Sequence, residues 1–150
     1  MEILELITTN EQKEWMEKIR LCDWGAANFL ADLVEQEKFH EVLCDGSLFI
    51  MADGEKIVSF CTLTQRDCIN DDTLFPWIGF VFTSPEYRGN RYSGKLIDYA
   101  CNKAKEQGYK NVYIATDHIG LYEKYGFKYI ESRTDIYGEE GRVYCRNLKV

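Results

Sequence analysis

The chain has 150 residues, 45% of them hydrophobic and 29% charged, with a formal net charge of −7 and an isoelectric point near 4.9. That length suits one domain over residues 1–150 with an ordinary core, and the acidic balance disfavours a general nucleic-acid binder, which needs a basic face. The opening stretch MEILELITTNEQ has no basic region and no long apolar one, and no apolar run nears the ~20 residues of a membrane span, so neither a secretory leader nor a membrane partner is expected.

In chain order, EILELI alternates as a first strand does. Thr9 and Gln12 form a Thr-x-x-Gln capping pattern ahead of a helix that places Trp15 and Ile19 on one face. FLADLVEQEKF repeats Phe29, Leu30, Leu33 and Val34 at helical spacing and predicts a second helix. Two apolar runs flank Asp53-Gly54, predicting an antiparallel hairpin with a type I′ turn, and Asn70–Asp72 predicts a loop. PWIGFVF is nearly all apolar, as a central strand is. Leu96, Ile97, Ala100, Cys101 and Ala104 then recur at helical spacing up to Gly108, a C-terminal cap. NVYIAT is a buried-type strand, GLYEKY a short helix stopped by Gly126, and the remainder two strands around YGEEG.

Six cysteines (Cys22, Cys44, Cys61, Cys68, Cys101, Cys145) are scattered without a CxxC pair, and His40 and His118 are the only histidines. No zinc spacing results, so no metal is expected, and free thiols fit a cytoplasmic protein.

The stretch SPEYRGNRYSGKLI sits between the predicted strand PWIGFVF and the helix behind it. A turn entering a helix leaves backbone N–H groups without partners, and these with the helix dipole favour an anion. Glycine permits close approach, and Arg88 and Arg91 add charge. The combination predicts a phosphate or pyrophosphate site at residues 88–95. Two designs compete for it. GNRYSGK satisfies the Gly-x4-Gly-Lys of a nucleotide-binding P-loop, but Leu96 stands where Ser or Thr should ligate magnesium, and the preceding hairpin is foreign to an all-parallel core.

The second design is a resemblance. SPEYRGNRYSGKLI is similar to motif A of the GCN5-related N-acetyltransferases (GNAT), and TDHIGLYEKYGFKYI to their motif B. The resemblance implies an α/β fold, a mixed and mostly antiparallel sheet of about seven strands flanked by about four helices. It also implies transfer of acetyl from acetyl-CoA to a primary amine of a small molecule or peptide, by a monomer or homodimer. Its motif assigns the pyrophosphate to Arg88, Gly89, Asn90, Arg91, Tyr92, Ser93 and Gly94. The thioester oxygen falls to backbone N–H groups at a distortion around Phe80, Val81 and Phe82, and the cofactor arm passes near Asp117 and His118. Arg91 stands where the motif has its first glycine, a substitution that fits the loop if its N–H faces the phosphate and its φ is negative, and Ser93 stands at the second small position; the two are the motive for an alternative reading, a non-catalytic acyl-CoA-binding or sensing module. Tyr122 either donates a proton to the leaving thiolate or packs beneath the cofactor, with Tyr125 in the core. Asp67, at a strand end, is a candidate base or cation grip, or else merely solvated. His118 is a second candidate base, or a loop histidine bonded locally. Trp24 and Trp77 are candidate walls for an acceptor pocket built from residues 20–40 and 65–76, with DIYGEEGR reaching over it. The acidic balance suits a cationic acceptor such as a polyamine or an aminoglycoside.

Overall fold

A computed structural model describes residues 1–6, 12–43 and 46–148, and these form one seven-stranded sheet with four α-helices. The elements are β1 (Glu2–Glu5), α1 (Gln12–Arg20), α2 (Gly25–Glu35), α3 (Phe39–Leu43), β2 (Gly46–Asp53), β3 (Lys56–Thr64), β4 (Trp77–Thr83), α4 (Tyr92–Glu106), β5 (Asn111–Thr116), β6 (Lys128–Thr134) and β7 (Glu140–Asn147). The strand order is β1-β2-β3-β4-β5-β7-β6. All neighbours are antiparallel except β4 and β5, which are parallel because α4 carries the chain back between them. This is the mixed, mostly antiparallel sheet expected.

Each face of the sheet buries its own core. Against one face, Trp15, Met16 and Ile19 of α1 and Ala27, Leu30, Ala31 and Val34 of α2 pack on Leu48, Ile50, Phe60 and Phe82. Arg20 ties the two helices together through Asp32 (2.7 Å) and Glu35 (2.9 Å). Against the other face, Leu96, Ile97, Ala100, Cys101 and Ala104 of α4 meet Phe49, Val58, Cys61, Ile78 and Val112. These are the five residues whose spacing predicted that helix. Burying a side chain such as Leu96 stabilises the fold by about 2 kcal/mol.

Several expectations change in detail. The hairpin is present, but Asp53 pairs with Lys56, so the turn residues are Gly54 and Glu55. Only Gly54 has a positive φ (61°), the pattern of a type II′ turn, not type I′. The second helix starts at Gly25 and ends at Glu35, and Phe39 belongs to the separate α3. The break is a left-handed Glu37 (φ 57°), with Lys38 N–H bonded to Leu33 O (2.8 Å) and Glu37 N–H to Val34 O (3.2 Å), a Schellman closure without glycine. GLYEKY forms a 3-10 turn over Tyr122–Tyr125, stopped at Gly126 as expected. Thr9, which opens the capping pattern, and Cys44 lie outside the described residues. No helix among the described residues is long and apolar enough to cross a membrane.

Candidate active site

The site begins where β4 stops behaving as a regular strand. Its pairing with β5 covers only Trp77 to Tyr113 and Ile78 to Ile114, after which the two strands part. On the other side its register with β3 slips between Phe60 and Thr62, and Phe80 takes a positive φ of 50°. Ile78 and Val81 pack toward α4, while Phe80 and Phe82 pack toward α1 and α2. Gly79 faces Thr62 and Asp67. Two consecutive residues, Gly79 and Phe80, thus share a face, which is what a β-bulge does. The bulge turns the Phe80 ring onto Trp24 (6.5 Å) and Phe29 (6.2 Å), and it leaves the β5-facing backbone of residues 79–83 without a strand partner.

A groove of about 660 Å³ opens from this split, lined among others by Trp24, Val81, Phe82 and Tyr122. Its floor leads into a 3-10 turn (Pro85–Tyr87) and then the start of α4. Gly89 (φ 86°) and Arg91 (φ 59°) are left-handed. Arg91 is the N-cap of α4 and makes no side-chain cap bond, so the first-turn N–H groups of the helix are left to whatever enters. Its positive φ departs from the negative φ expected if a non-glycine were to fit there, and it gives a steric reason for a glycine at this place. Arg88 is anchored by Nε to Thr83 O (2.9 Å), its guanidinium 5.5 Å from the Phe82 ring centre.

Of the residues picked from the sequence, Val81, Phe82, Arg88, Gly89, Arg91, Tyr92, Ser93, His118 and Tyr122 all line this groove. Phe80 lines the neighbouring cavity instead. Asn90 is exposed, with Nδ2 donating to Tyr87 O and Arg88 O, and Asp117 is exposed; neither lines the groove. Gly94 is buried beneath Tyr125, where a Cβ would strike the ring. Tyr125 is not core as expected: it is half-buried, lines the groove and meets Ser93 Oγ at 3.4 Å. Tyr122 is 6% exposed, between the rings of His118 (6.5 Å) and Phe127 (6.3 Å). Burial, with smaller contributions from Cys61 and Tyr125, pushes its hydroxyl up to about 12. It therefore stays protonated throughout the neutral range.

Trp24 and the bulge separate the groove from a second cavity of about 450 Å³. This cavity is walled by Trp24, Phe29, Phe80, Ile136 and Tyr137, with Asp67 among its lining. Trp77 is not part of it. That side chain is fully buried, with Nε1 donating to Leu74 O (2.7 Å). Asp67 is not a solvated strand end. Its Oδ1 accepts from the Cys68 N–H (2.7 Å), while Oδ2 is sealed from solvent without a partner, as is Thr62 Oγ1 on the same side of Gly79. Burial, opposed by the Cys68 hydrogen bond, raises the carboxyl to about 6. Ile136 and Tyr137 reach the cavity because Ile136 N–H binds Cys68 O (2.8 Å). Among the described residues no cluster of three His, Cys, Asp or Glu is arranged to hold a metal.

The model of the acetyltransferase (GNAT) family matches residues 8–127, well over half the chain. The chain belongs to the GNAT family. Among solved GNAT structures, an aminoglycoside 6′-N-acetyltransferase complexed with coenzyme A superposes with a TM-score of 0.74 at 14% identity, over 100% of this chain and 98% of that one. The aminoglycoside 6′-N-acetyltransferase of Enterococcus faecium gives 0.72 at 15% identity, over 100% and 98%. A GNAT acetyltransferase of Elizabethkingia anophelis with acetyl-CoA bound gives 0.66 at 17% identity, over 97% of each chain. At these identities the likeness is one of fold. A search of curated proteins finds no match. The P-loop alternative does not fit a GNAT fold: Gly94 and Lys95 lie inside α4, and the sheet is mostly antiparallel.

Proposed function

We propose that this protein moves the acetyl group of acetyl-CoA directly onto a primary amine of a small molecule or peptide, with both substrates bound together. The observation that carries this reading is that two cavities of different character meet at the β4 bulge. One has an open helix N-terminus and two arginines at its end, suited to a pyrophosphate. The other holds a buried carboxylate, suited to an amine.

Several features of the chain fit the cofactor. The unpaired backbone of residues 79–83 offers hydrogen bonds to an extended amide-bearing arm, as an exposed strand edge does. N–H groups around Phe80–Phe82 are fixed in place before reaction, which is the requirement for polarising a carbonyl oxygen that gains charge. Acetyl-CoA supplies, when bound, an activated thioester carbonyl. Tyr122 then holds a proton on the groove side, available to the departing sulfur, whose thiol pKa of about 8.5 lies below that of the phenol, so transfer needs the close approach a packed site provides. Asp67, raised toward neutrality, is suited to grip an ammonium and to receive its proton.

Calorimetric titration with acetyl-CoA, beside ATP with magnesium, tests the reading. Micromolar acetyl-CoA binding with silence from ATP, followed by thiol release when amines are added, is the expected result. Binding without turnover of any amine would favour the non-catalytic module, and no acetyl-CoA binding would remove the reading altogether.

A further inference from the structure

The cavity beside the groove has a chemistry of its own. Asp67 is in its lining, and one oxygen of that carboxylate, Oδ2, is buried against Gly79 without a partner, as is Thr62 Oγ1. A buried carboxylate oxygen without a donor is a costly arrangement unless a ligand completes it. Two acidic groups of the neighbouring loops are already engaged. Asp71 is paired with Arg133 (2.9 Å), and Asp135 accepts the N–H groups of Tyr137 (2.9 Å) and Glu139 (3.0 Å). Arg66 contributes a positive charge to the cavity wall. Apart from Asn70 and Cys68 the remaining walls are apolar or aromatic, and three of them form an exposed mouth: Phe29 (40% exposed), Ile136 (55%) and Tyr137 (65%). Clustered exposed apolar side chains beside a cavity mark where an apolar ligand surface is covered.

Resting on the acetyl-transfer reading, we propose that the acceptor is a monoamine with an aromatic or branched apolar body, its ammonium directed to Asp67 and its body against Trp24, Phe29, Phe80 and Tyr137, and that polycations such as aminoglycosides and polyamines are poor acceptors. One ammonium is satisfied by one carboxylate, whereas further ammonium groups would find no second carboxylate among the described lining residues. In the reaction the amine nitrogen forms a bond to the acetyl carbon as the carbon–sulfur bond breaks. The ammonium gives up two protons overall, of which one ends on sulfur and the other passes to solvent.

The test uses the full chain and 2-phenylethylamine, spermidine and kanamycin as probes. Amine binding is read from tryptophan fluorescence, since Trp24 lines the cavity while Trp15 and Trp77 are buried elsewhere. Turnover is read from thiol release with acetyl-CoA. The expected result is a kcat/KM for 2-phenylethylamine about tenfold or more above the other two, the scale of one apolar group well covered. Phe29→Ser and Tyr137→Ser, both at exposed positions, should each raise KM for 2-phenylethylamine about fivefold with KM for acetyl-CoA unchanged. Preferred turnover of kanamycin or spermidine overturns the proposed class while acetyl transfer stands. So does absence of any 2-phenylethylamine signal from a protein that binds acetyl-CoA. Failure to bind acetyl-CoA removes the underlying reading, and this one with it.

Discussion

Replacing Asp67 with asparagine should make the protein more stable in a manner that depends on pH. The carboxyl lies near 6 in the folded chain against an ordinary 3.8, chiefly because burial disfavours its charge. Between those two values the folded chain holds a proton that the unfolded chain has lost, so stability falls as pH rises through the window and levels off above it. At about 1.36 kcal/mol per pH unit, the ionised carboxyl lowers folded-state stability by roughly 3 kcal/mol at pH 8 but by only about 0.5 kcal/mol at pH 4. The groups facing Asp67 do not obscure this. The Cys68 thiol is pushed up to about 12 and the Tyr137 hydroxyl is also raised, so both stay neutral across the window. Asparagine retains the acceptor for the Cys68 N–H and carries no charge. Whatever constant offset its amide introduces, the variant should gain about 2.5 kcal/mol on the wild type between pH 4 and pH 8, or about 5–10 °C in melting temperature. Urea unfolding of both proteins at the two pH values measures it. An equal difference at both would refute the claim that Asp67 is a strained, raised carboxyl. Acetylation of amines by the variant should fall about a hundredfold or more.

Three further outcomes are expected. Tyr122→Phe keeps the packing against Phe127 and removes the proton, so kcat should drop about a hundredfold with acetyl-CoA affinity unchanged in calorimetry; unchanged turnover would exclude the tyrosine as donor. Arg91→Gly relieves a left-handed non-glycine, whereas Arg91→Ala does not, so the glycine variant should be about 1 kcal/mol the more stable in denaturant while both bind acetyl-CoA more weakly. Gly79→Ala puts a Cβ into Asp67 Oδ2 and should destabilise by about 1–3 kcal/mol and abolish amine fluorescence titration, leaving acetyl-CoA binding measurable.

What could be read from the sequence divides along physical lines. The end of α4 was legible because Gly108 stands at the left-handed position, with Tyr109 N–H bonded to Ala104 O (3.1 Å) and Gly108 N–H to Lys105 O (3.0 Å). The same closure ends α2 at Glu37, and there no glycine announces it, so the predicted helix ran on to Phe39. The phosphate-type turn was legible from charge and glycine next to a helix start. The bulge was not legible residue by residue: WIGFVF is apolar at every position, so a one-residue slip leaves no break in the pattern. Asp67 looked like a strand-end acid because local sequence cannot show that the β6–β7 loop folds back on it through Ile136 and Tyr137. Tyr125 looked like core because its spacing from Tyr122 does not reveal which face the groove occupies.

The cysteines bear on the order of events. A double displacement requires a nucleophile that first takes the acetyl group, and a thiol does so only as thiolate. Burial raises Cys22, Cys61, Cys101 and Cys145, with Cys101 near 11. Cys68, the cysteine that lines the second cavity, is pushed up to about 12 by burial and by Asp67 beside it. The groove hydroxyl of Ser93 meets Tyr125, not an imidazole. Among the described residues, then, no cysteine and no groove serine is activated to hold an acetyl group, which supports the proposed direct attack of an amine over a covalent relay. Initial velocities with acetyl-CoA and amine varied together should give intersecting double-reciprocal lines, and intact-mass spectrometry of protein mixed with acetyl-CoA alone should show no covalent acetyl. Parallel lines with an acetylated Cys68 would mean that the carboxylate beside it serves the thiol and not the amine.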